Sequence, residues 1–269
     1  MLMAVNVGNS RICFGFFKDE ECELVAKFKI ATDINKTSDE YLATIKAITR
    51  EVLPSFEKVS GCILSSVVPQ LTPVMSETLE IFTGVAPKIV GPGLKTGFPI
   101  KIDSPSELGA DIVANTAAVI GAKKRRGEKD LSAIVIDMGT VTTVSAINKN
   151  GEYIGCSIFV GVGISFDAMH GKTAQLPNVM PDKPSRAIGK NSRDSVRSGI
   201  ILGNAMMLDG MCERFAKEMR CDHKSIELVA TGEYAKSVID ACRYEYLFDG
   251  DLTLKGLWYL YASNKETEN

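Results

Sequence analysis

Two short stretches of this chain combine residue types that suit phosphate and metal chemistry. Residues 4–10 read AVNVGNS and residues 135–141 read VIDMGTV. In each, an apolar run ends in an amide or acid, one apolar residue intervenes, and Gly with a small hydroxyl or amide residue follows. Gly lets the backbone approach an anion, successive N–H groups cradle phosphate oxygens, and a hydroxyl adds a donor. A carboxylate at that place can hold a hydrated cation that neutralises the phosphates. One Asp-x-Gly turn is equally a plain hairpin. Its recurrence roughly 130 residues later, about half the chain, favours two similar domains whose turns clamp one nucleotide from opposite sides. Ala230-Thr231-Gly232-Glu233 follows an apolar run and precedes a helical pattern, a placement that suits backbone contact with a nucleotide or a helix entry without a ligand. Leu108-Gly109-Ala110-Asp111 opens another helical pattern. Asp111 reads either as a first-turn carboxylate favoured by the helix dipole or as a general base that takes a proton from a substrate hydroxyl in phosphoryl transfer.

The elements that must position these residues follow from periodicity. Residues 4–7, 12–17 and 24–30 predict a three-stranded meander. Thr37 and Glu40 predict a helix start, with Tyr41, Ile45, Ile48 and Val52 on one face. Residues 59–64 predict a buried strand and 111–122 a helix of small and apolar residues. The charged run 123–130 predicts a solvated linker. After it the opening recurs, with strands over 133–136, 142–147 and 153–158, then helices over 194–218 and 233–242 around a short strand at 226–230. The expected domains are therefore 1–122 and 123–269.

Composition narrows the function class. The chain has 269 residues, 45% hydrophobic and 24% charged, which is ordinary globular composition. A formal charge of -2 and a pI near 5.9 provide no basic field for nucleic acid or an anionic membrane. No apolar run approaches the roughly 18–20 residues of a bilayer span, and the first residues lack the basic region of a signal peptide. Seven scattered cysteines (Cys13, Cys22, Cys62, Cys156, Cys212, Cys221, Cys242) form no CxxC pair, and His170 and His223 sit near no cysteine cluster. That argues against zinc and for a reducing cytoplasm.

The chain resembles the type III pantothenate kinases of the acetate and sugar kinase/Hsc70/actin superfamily. The matching stretches, in the family's order, are VNVGNS (5–10), KTSDEY (36–41), SSVVPQL (65–71), VGPGLKTG (90–97), LGAD (108–111), IDMGTVTT (136–143), TAQLP (173–177), IGKNS (188–192), SGIILG (198–203), ATG (230–232) and DLTLKGL (251–257). The resemblance implies an α/β fold of two duplicated ribonuclease-H-like (actin-like ATPase) domains with mixed sheets flanked by helices. It also implies a homodimer, with ATP and pantothenate bound between the domains. The implied reaction is ATP-dependent phosphorylation of pantothenate to 4′-phosphopantothenate, the first step of coenzyme A synthesis. Mg2+ would accompany ATP, with a monovalent cation, K+ or NH4+. By motif, the ATP-binding residues are Asn6, Val7, Gly8, Asn9, Ser10, Arg11, Ile12 and Cys13, with Gly139, Thr140 and Gly232. Asp137 corresponds to the monovalent-cation ligand and Asp111 to the proton acceptor. Gly109, Ala110, Asp111, Ile112, Ser192 and Ile102 fall at substrate-contacting positions.

Several of these positions depart from the family pattern. Asn6 stands where Asp is usual, removing a full charge near the divalent cation. Ile112 replaces an Arg, and with it a bidentate clamp for the pantothenate carboxylate. Ile102 replaces a Tyr, Ser145 an Asp, and Glu233 a second Gly. Cys156 and Val160 interrupt a stretch that usually reads Gly-Gly-x-Ile-x-Pro-Gly. The apolar Ile102 and Ile112 leave open a kinase of another hydroxyl acceptor. Asn6 leaves open a divergent regulatory subunit, alone or paired with an intact paralogue, a reading that the retained Asp111 opposes.

Overall fold

The repeat seen in the sequence is built as two five-stranded sheets of one topology. The computed structural model describes residues 1–18, 22–54 and 58–265. The chain runs β1 (Leu2–Val7), β2 (Arg11–Phe17), β3 (Leu24–Ala31), α1 (Ser38–Val52), β4 (Gly61–Ser66), α2 (Leu71–Thr83), β5 (Lys88–Ile89), α3 (Ala110–Arg125), β6 (Ala133–Met138), β7 (Val141–Ile147), β8 (Tyr153–Val160), α4 (Val162–Gly171), α5 (Ser192–Glu218), β9 (Glu227–Thr231), α6 (Ala235–Ile239), β10 (Leu247–Phe248) and α7 (Leu252–Lys265). The first sheet has the order β3-β2-β1-β4-β5 and the second, in mirrored listing, β8-β7-β6-β9-β10. In both, a hairpin meander supplies the antiparallel pairs, and parallel strands add on the other side of the first strand. The architecture is duplicated α/β with mixed sheets flanked by helices, as expected.

Local sequence explains the element ends. Thr37 caps α1: its side chain accepts from the Glu40 amide, while the Glu40 carboxylate accepts from the Thr37 amide at 2.8 Å. Asn191 caps α5, accepting from the Asp194 amide at 2.9 Å. Sequence periodicity did not assign α2 or α4. Pro73 stands in the first turn of α2, where a missing N–H is tolerated. The predicted helix 233–242 contracts to α6, five residues long.

Alternation along β1 sets the two faces of the first sheet. Met3, Val5 and Val7 join Tyr41 and Ile45 of α1 and Leu71, Met75 and Leu79 of α2 in one core. Leu2, Ala4 and Asn6 point the other way. Their pairing partners identify what covers that face: Gly61, opposite Leu2, lies against Tyr261 of α7, and Gly15, opposite Ala4, lies against Leu254 of α7. In the second sheet, Ile134, Ile136 and Met138 of β6 pack with Val162 and Phe166 of α4, Ile201 and Leu208 of α5, and Val238 of α6.

The compact units differ from a single cut at 122/123. The first comprises Met1–Pro99, Asp103–Arg125 and the chain from Asp251 on; the second comprises Ile100–Ile102 and Arg126–Gly250. The last helix returns to the first unit because α7 is apolar on the side it turns to α3 and the sheet. Leu254, Leu257, Trp258 and Leu260 are all buried. Gly256 lies on the backbone of Ala114 and Gly121 lies under Tyr259, so α7 and α3 pack closely. The expected linker also shortens. Lys123–Arg125 continue α3 with Lys123 buried, and Arg126 bonds Glu128 and, at 2.6 Å, Glu227. Among the described residues no helix is long and apolar enough to cross a membrane.

Candidate active site

In the first unit, the β1–β2 turn is shaped by its own carbonyls. The Gly8 amide donates to Arg11 O at 3.0 Å, and Thr32, just past β3, takes two more carbonyls. Its hydroxyl donates to Gly8 O at 2.7 Å and its amide to Ser10 O at 3.1 Å. Two partial negative charges are thereby engaged at a turn proposed to meet phosphate. Asn9, Ser10 and Arg11 are exposed, while Val7 and Ile12 are buried and paired, and Cys13 pairs with Asn6. Val7 and Ile12 therefore shape the turn from beneath. Asn6 Oδ1 is buried and bonds nothing among the described residues. An acceptor in that state fits a donor such as a proton of cation-bound water.

The same unit holds Gly109, Ala110, Asp111 and Ile112 at the start of α3. The Val113 amide donates to Gly109 O at 3.1 Å, closing the first turn. Asp111 Oδ1 accepts from the Ile112 amide at 2.8 Å and folds over Gly109, where a β-carbon would stand 2.7 Å from that oxygen. Burial pushes the Asp111 carboxyl above its ordinary range, and hydrogen bonds from the Ile112 and Asp111 backbone amides partly oppose this. A carboxyl shifted upward by desolvation at a helix start has the character of a general base more than of a solvated first-turn charge. Ile112 is buried, 9% exposed, on the packed side of α3.

In the second unit, Asp137, Gly139 and Thr140 form the β6–β7 turn. Met138 pairs Thr142 where Val7 pairs Ile12, so the first turn is one residue longer. A β-carbon on Gly139 would stand 3.5 Å from Asp137 Oδ1, ordinary contact, so a side chain of one carbon fits here. Two more glycines hold the turn. A β-carbon on Gly161, before α4, would overlap the Thr140 carbonyl. Gly232 has φ +101°, and a β-carbon there would lie 2.5–2.6 Å from the backbone of Met138. Gly232 thus joins Asp137, Gly139 and Thr140 at the carboxyl ends of β6 and β9. Ser192 opens α5 and lines a cavity of about 490 Å³ with Lys190 and Ser195. Ile102 belongs to this unit, beside Lys101, whose amide donates to Tyr153 O at 2.8 Å; Asp111 and Ile112 belong to the other.

Two residues of these turns, Gly161 and Ser65, were not singled out from sequence, and Thr231 was read only within a stretch suited to backbone contact. Gly161 was legible as the last Gly of an interrupted glycine stretch. Ser65 and Thr231 occupy matching places on β4 and β9, opposite Asn6 and Asp137 respectively. Their signal was a hydroxyl directly after an apolar run in both halves.

The comparisons with known proteins cover most or nearly all of the chain. The model of a family described as type III pantothenate kinase matches residues 2–214. A protein of Syntrophotalea carbinolica named type III pantothenate kinase is 36% identical over 265 residues, covering 98% of this chain and 100% of that one. One of Geotalea uraniireducens with the same name is 37% identical over 267 residues, covering 99% and 100%. Among solved structures, a conserved Baf-family protein from Campylobacter jejuni superposes with TM-score 0.60 at 15% identity, covering 98% and 99%. An inorganic polyphosphate/ATP-glucomannokinase from Arthrobacter gives 0.51 at 12%, covering 98% of each chain. At such identities these two structures bear on the fold alone.

Proposed function

The chain belongs to the type III pantothenate kinase family, and on that premise we propose that it transfers the γ-phosphoryl group of ATP to the hydroxyl of pantothenate in the cytoplasm. The observation that carries this reading is Asp111: a carboxyl desolvated at the start of α3, with Gly109 leaving room for it. Asp111 takes the hydroxyl proton as the hydroxyl oxygen bonds to the γ-phosphorus. The bond to the β–γ bridging oxygen breaks, and ADP leaves with its electron pair. The amides of the Asn6–Cys13 turn and the Gly139–Thr140 turn receive phosphate oxygens, with the Thr140 hydroxyl as a further donor. Gly232 brings the β9 end against β6 on the nucleotide side.

The divalent ion bound with ATP supplies charge neutralisation for the phosphates and leaving group. Asn6 Oδ1, buried and without a partner among the described residues, would accept a hydrogen bond from the water around that ion. Asp137 would hold the monovalent cation, K+ or NH4+, and supply it with a negative charge. Ile112 is packed into the fold of the first unit, and Ser192 offers a hydroxyl in the cavity at the α5 start. The active species is a homodimer.

The deciding experiment is a coupled ADP-release assay with ATP, Mg2+, K+ and pantothenate. Turnover by the native chain that disappears in Asp111→Asn is the expected result. Native turnover that survives Asp111→Asn overturns the assignment of the base. Absence of native turnover with pantothenate, together with turnover on another alcohol, replaces the acceptor.

A further inference from the structure

At the carboxyl ends of β1 and β4, two buried polar atoms stand side by side. Parallel pairing places Asn6 opposite Ser65, so both side chains leave the sheet on one face. It is the face covered by α7, since Gly61, four residues before Ser65 on β4 and on the same side of the pleat, lies against Tyr261. Asn6 Oδ1 and Ser65 Oγ are each buried and bond nothing among the described residues. Ser65 is 0% exposed. Desolvating an unpaired polar atom opposes folding, and a ligand that bonds both atoms at once offsets that cost. Their location supports this, because ligands of open α/β sheets sit beyond the carboxyl ends of parallel strands. The second repeat shares the register, with Thr231, 3% exposed, opposite Asp137.

The chemistry of the pair selects the ligand. An amide oxygen only accepts hydrogen bonds, and a hydroxyl oxygen accepts as readily as it donates. A phosphate oxygen, itself an acceptor, cannot satisfy Asn6 Oδ1. A water on a divalent cation presents its protons outward and satisfies both. Neighbouring strands lie about 4.8 Å apart, a spacing that one water can span at ordinary hydrogen-bond length. We propose that Ser65 is a binding residue of this kinase, which with Asn6 accepts hydrogen bonds from the water shell of the divalent cation accompanying ATP. The hydroxyl supplies a second acceptor at a place where the neutral Asn6 lacks the charge of a carboxylate. This assignment rests on the kinase reading given above.

The test compares native chain, Ser65→Ala and Thr49→Val by thermal denaturation, alone, with ATP and EDTA, and with ATP and Mg2+. Thr49 on α1 also has a buried hydroxyl without a partner among the described residues and serves as the control. Ser65→Ala is expected to keep or raise the melting temperature of the unliganded protein, since it removes an unpaired buried hydroxyl. It should retain the shift produced by metal-free ATP and lose the additional Mg2+-dependent shift. The Mg2+ concentration for half-maximal turnover should rise about tenfold, the usual effect of one lost hydrogen bond to a charged group. Thr49→Val should match the native chain in each nucleotide response. A Mg2+-dependent shift fully kept in Ser65→Ala overturns the proposal. So does a lowered melting temperature without ligand, which would mean that the fold itself uses the hydroxyl. Equal loss with and without Mg2+ overturns it in favour of a phosphate contact. A native chain that does not respond to ATP in any form sinks the kinase reading and this assignment together, an outcome distinct from those in which the native chain responds.

Discussion

Asp111 concentrates the chemistry in one half-buried carboxyl, and its pH behaviour is the sharpest residue-level consequence. Burial raises its pKa, against the backbone hydrogen bonds that lower it. A general base works ionised, so kcat/KM should fall as pH drops through a midpoint above the ordinary aspartate range of about 3.9. Asp111→Asn should lose on the order of 10²- to 10⁴-fold in turnover, and the residual rate should lack that acid limb. Stability has a matching sign. A carboxyl with a raised folded-state pKa contributes stability below its unfolded pKa, and this is lost as pH rises through the folded value. Asp111→Asn should therefore melt higher than the native chain at neutral pH, with the gap closing on acidification. A gap that widens at low pH would contradict burial as the cause of the shift.

The turns depend on glycines that leave no room for a side chain. Gly161 sits against the Thr140 carbonyl, and Gly232 combines φ +101° with contact to the Met138 backbone. Backbone atoms cannot swing aside as side-chain ends can. Gly161→Ala and Gly232→Ala should each lower stability by about 2–3 kcal/mol or more, measurable by denaturant titration. Gly109 differs, because the nearest atom to its missing β-carbon is the Asp111 carboxylate oxygen itself. Gly109→Ala should leave the melting temperature within a few degrees of native while lowering kcat, because the carboxylate moves rather than the fold. Equal losses of stability and turnover would mean that Gly109 serves the helix start and not Asp111.

Across the molecule, the C-terminal helix decides how the first unit is closed. Leu254, Leu257, Trp258 and Leu260 are buried, at about 1.5–3 kcal/mol each on removal from water. Their sum rivals the roughly 5–15 kcal/mol of a whole domain's stability. Truncation after Gly250 should therefore unfold the first unit, although all five strands of its sheet remain. A 1–122 fragment should be unfolded alone and should gain structure when 251–269 is fused to it, as read by circular dichroism. A folded 1–122 fragment would restore the simple cut between halves.

Much of this was written in local chemistry. Apolar runs with Gly turns announce the two meanders, Thr37 with Glu40 announces α1, and the repeated acid-or-amide turn identifies where phosphate chemistry belongs, since each depends only on neighbours within a few residues. Asp111 was named as a base candidate, but a sequence does not contain its desolvation, which comes from packing around α3. The burial of Ile112, the pairing of Ser65 with Asn6 and of Thr231 with Asp137, and the contact of Gly161 with Thr140 each join parts of the chain that periodicity treats separately. The return of α7 to the first unit is the largest such case. An apolar stripe announces that a helix will be buried, but which surface buries it depends on contacts between residues far apart in the chain, where hydrophobic burial has no directional code.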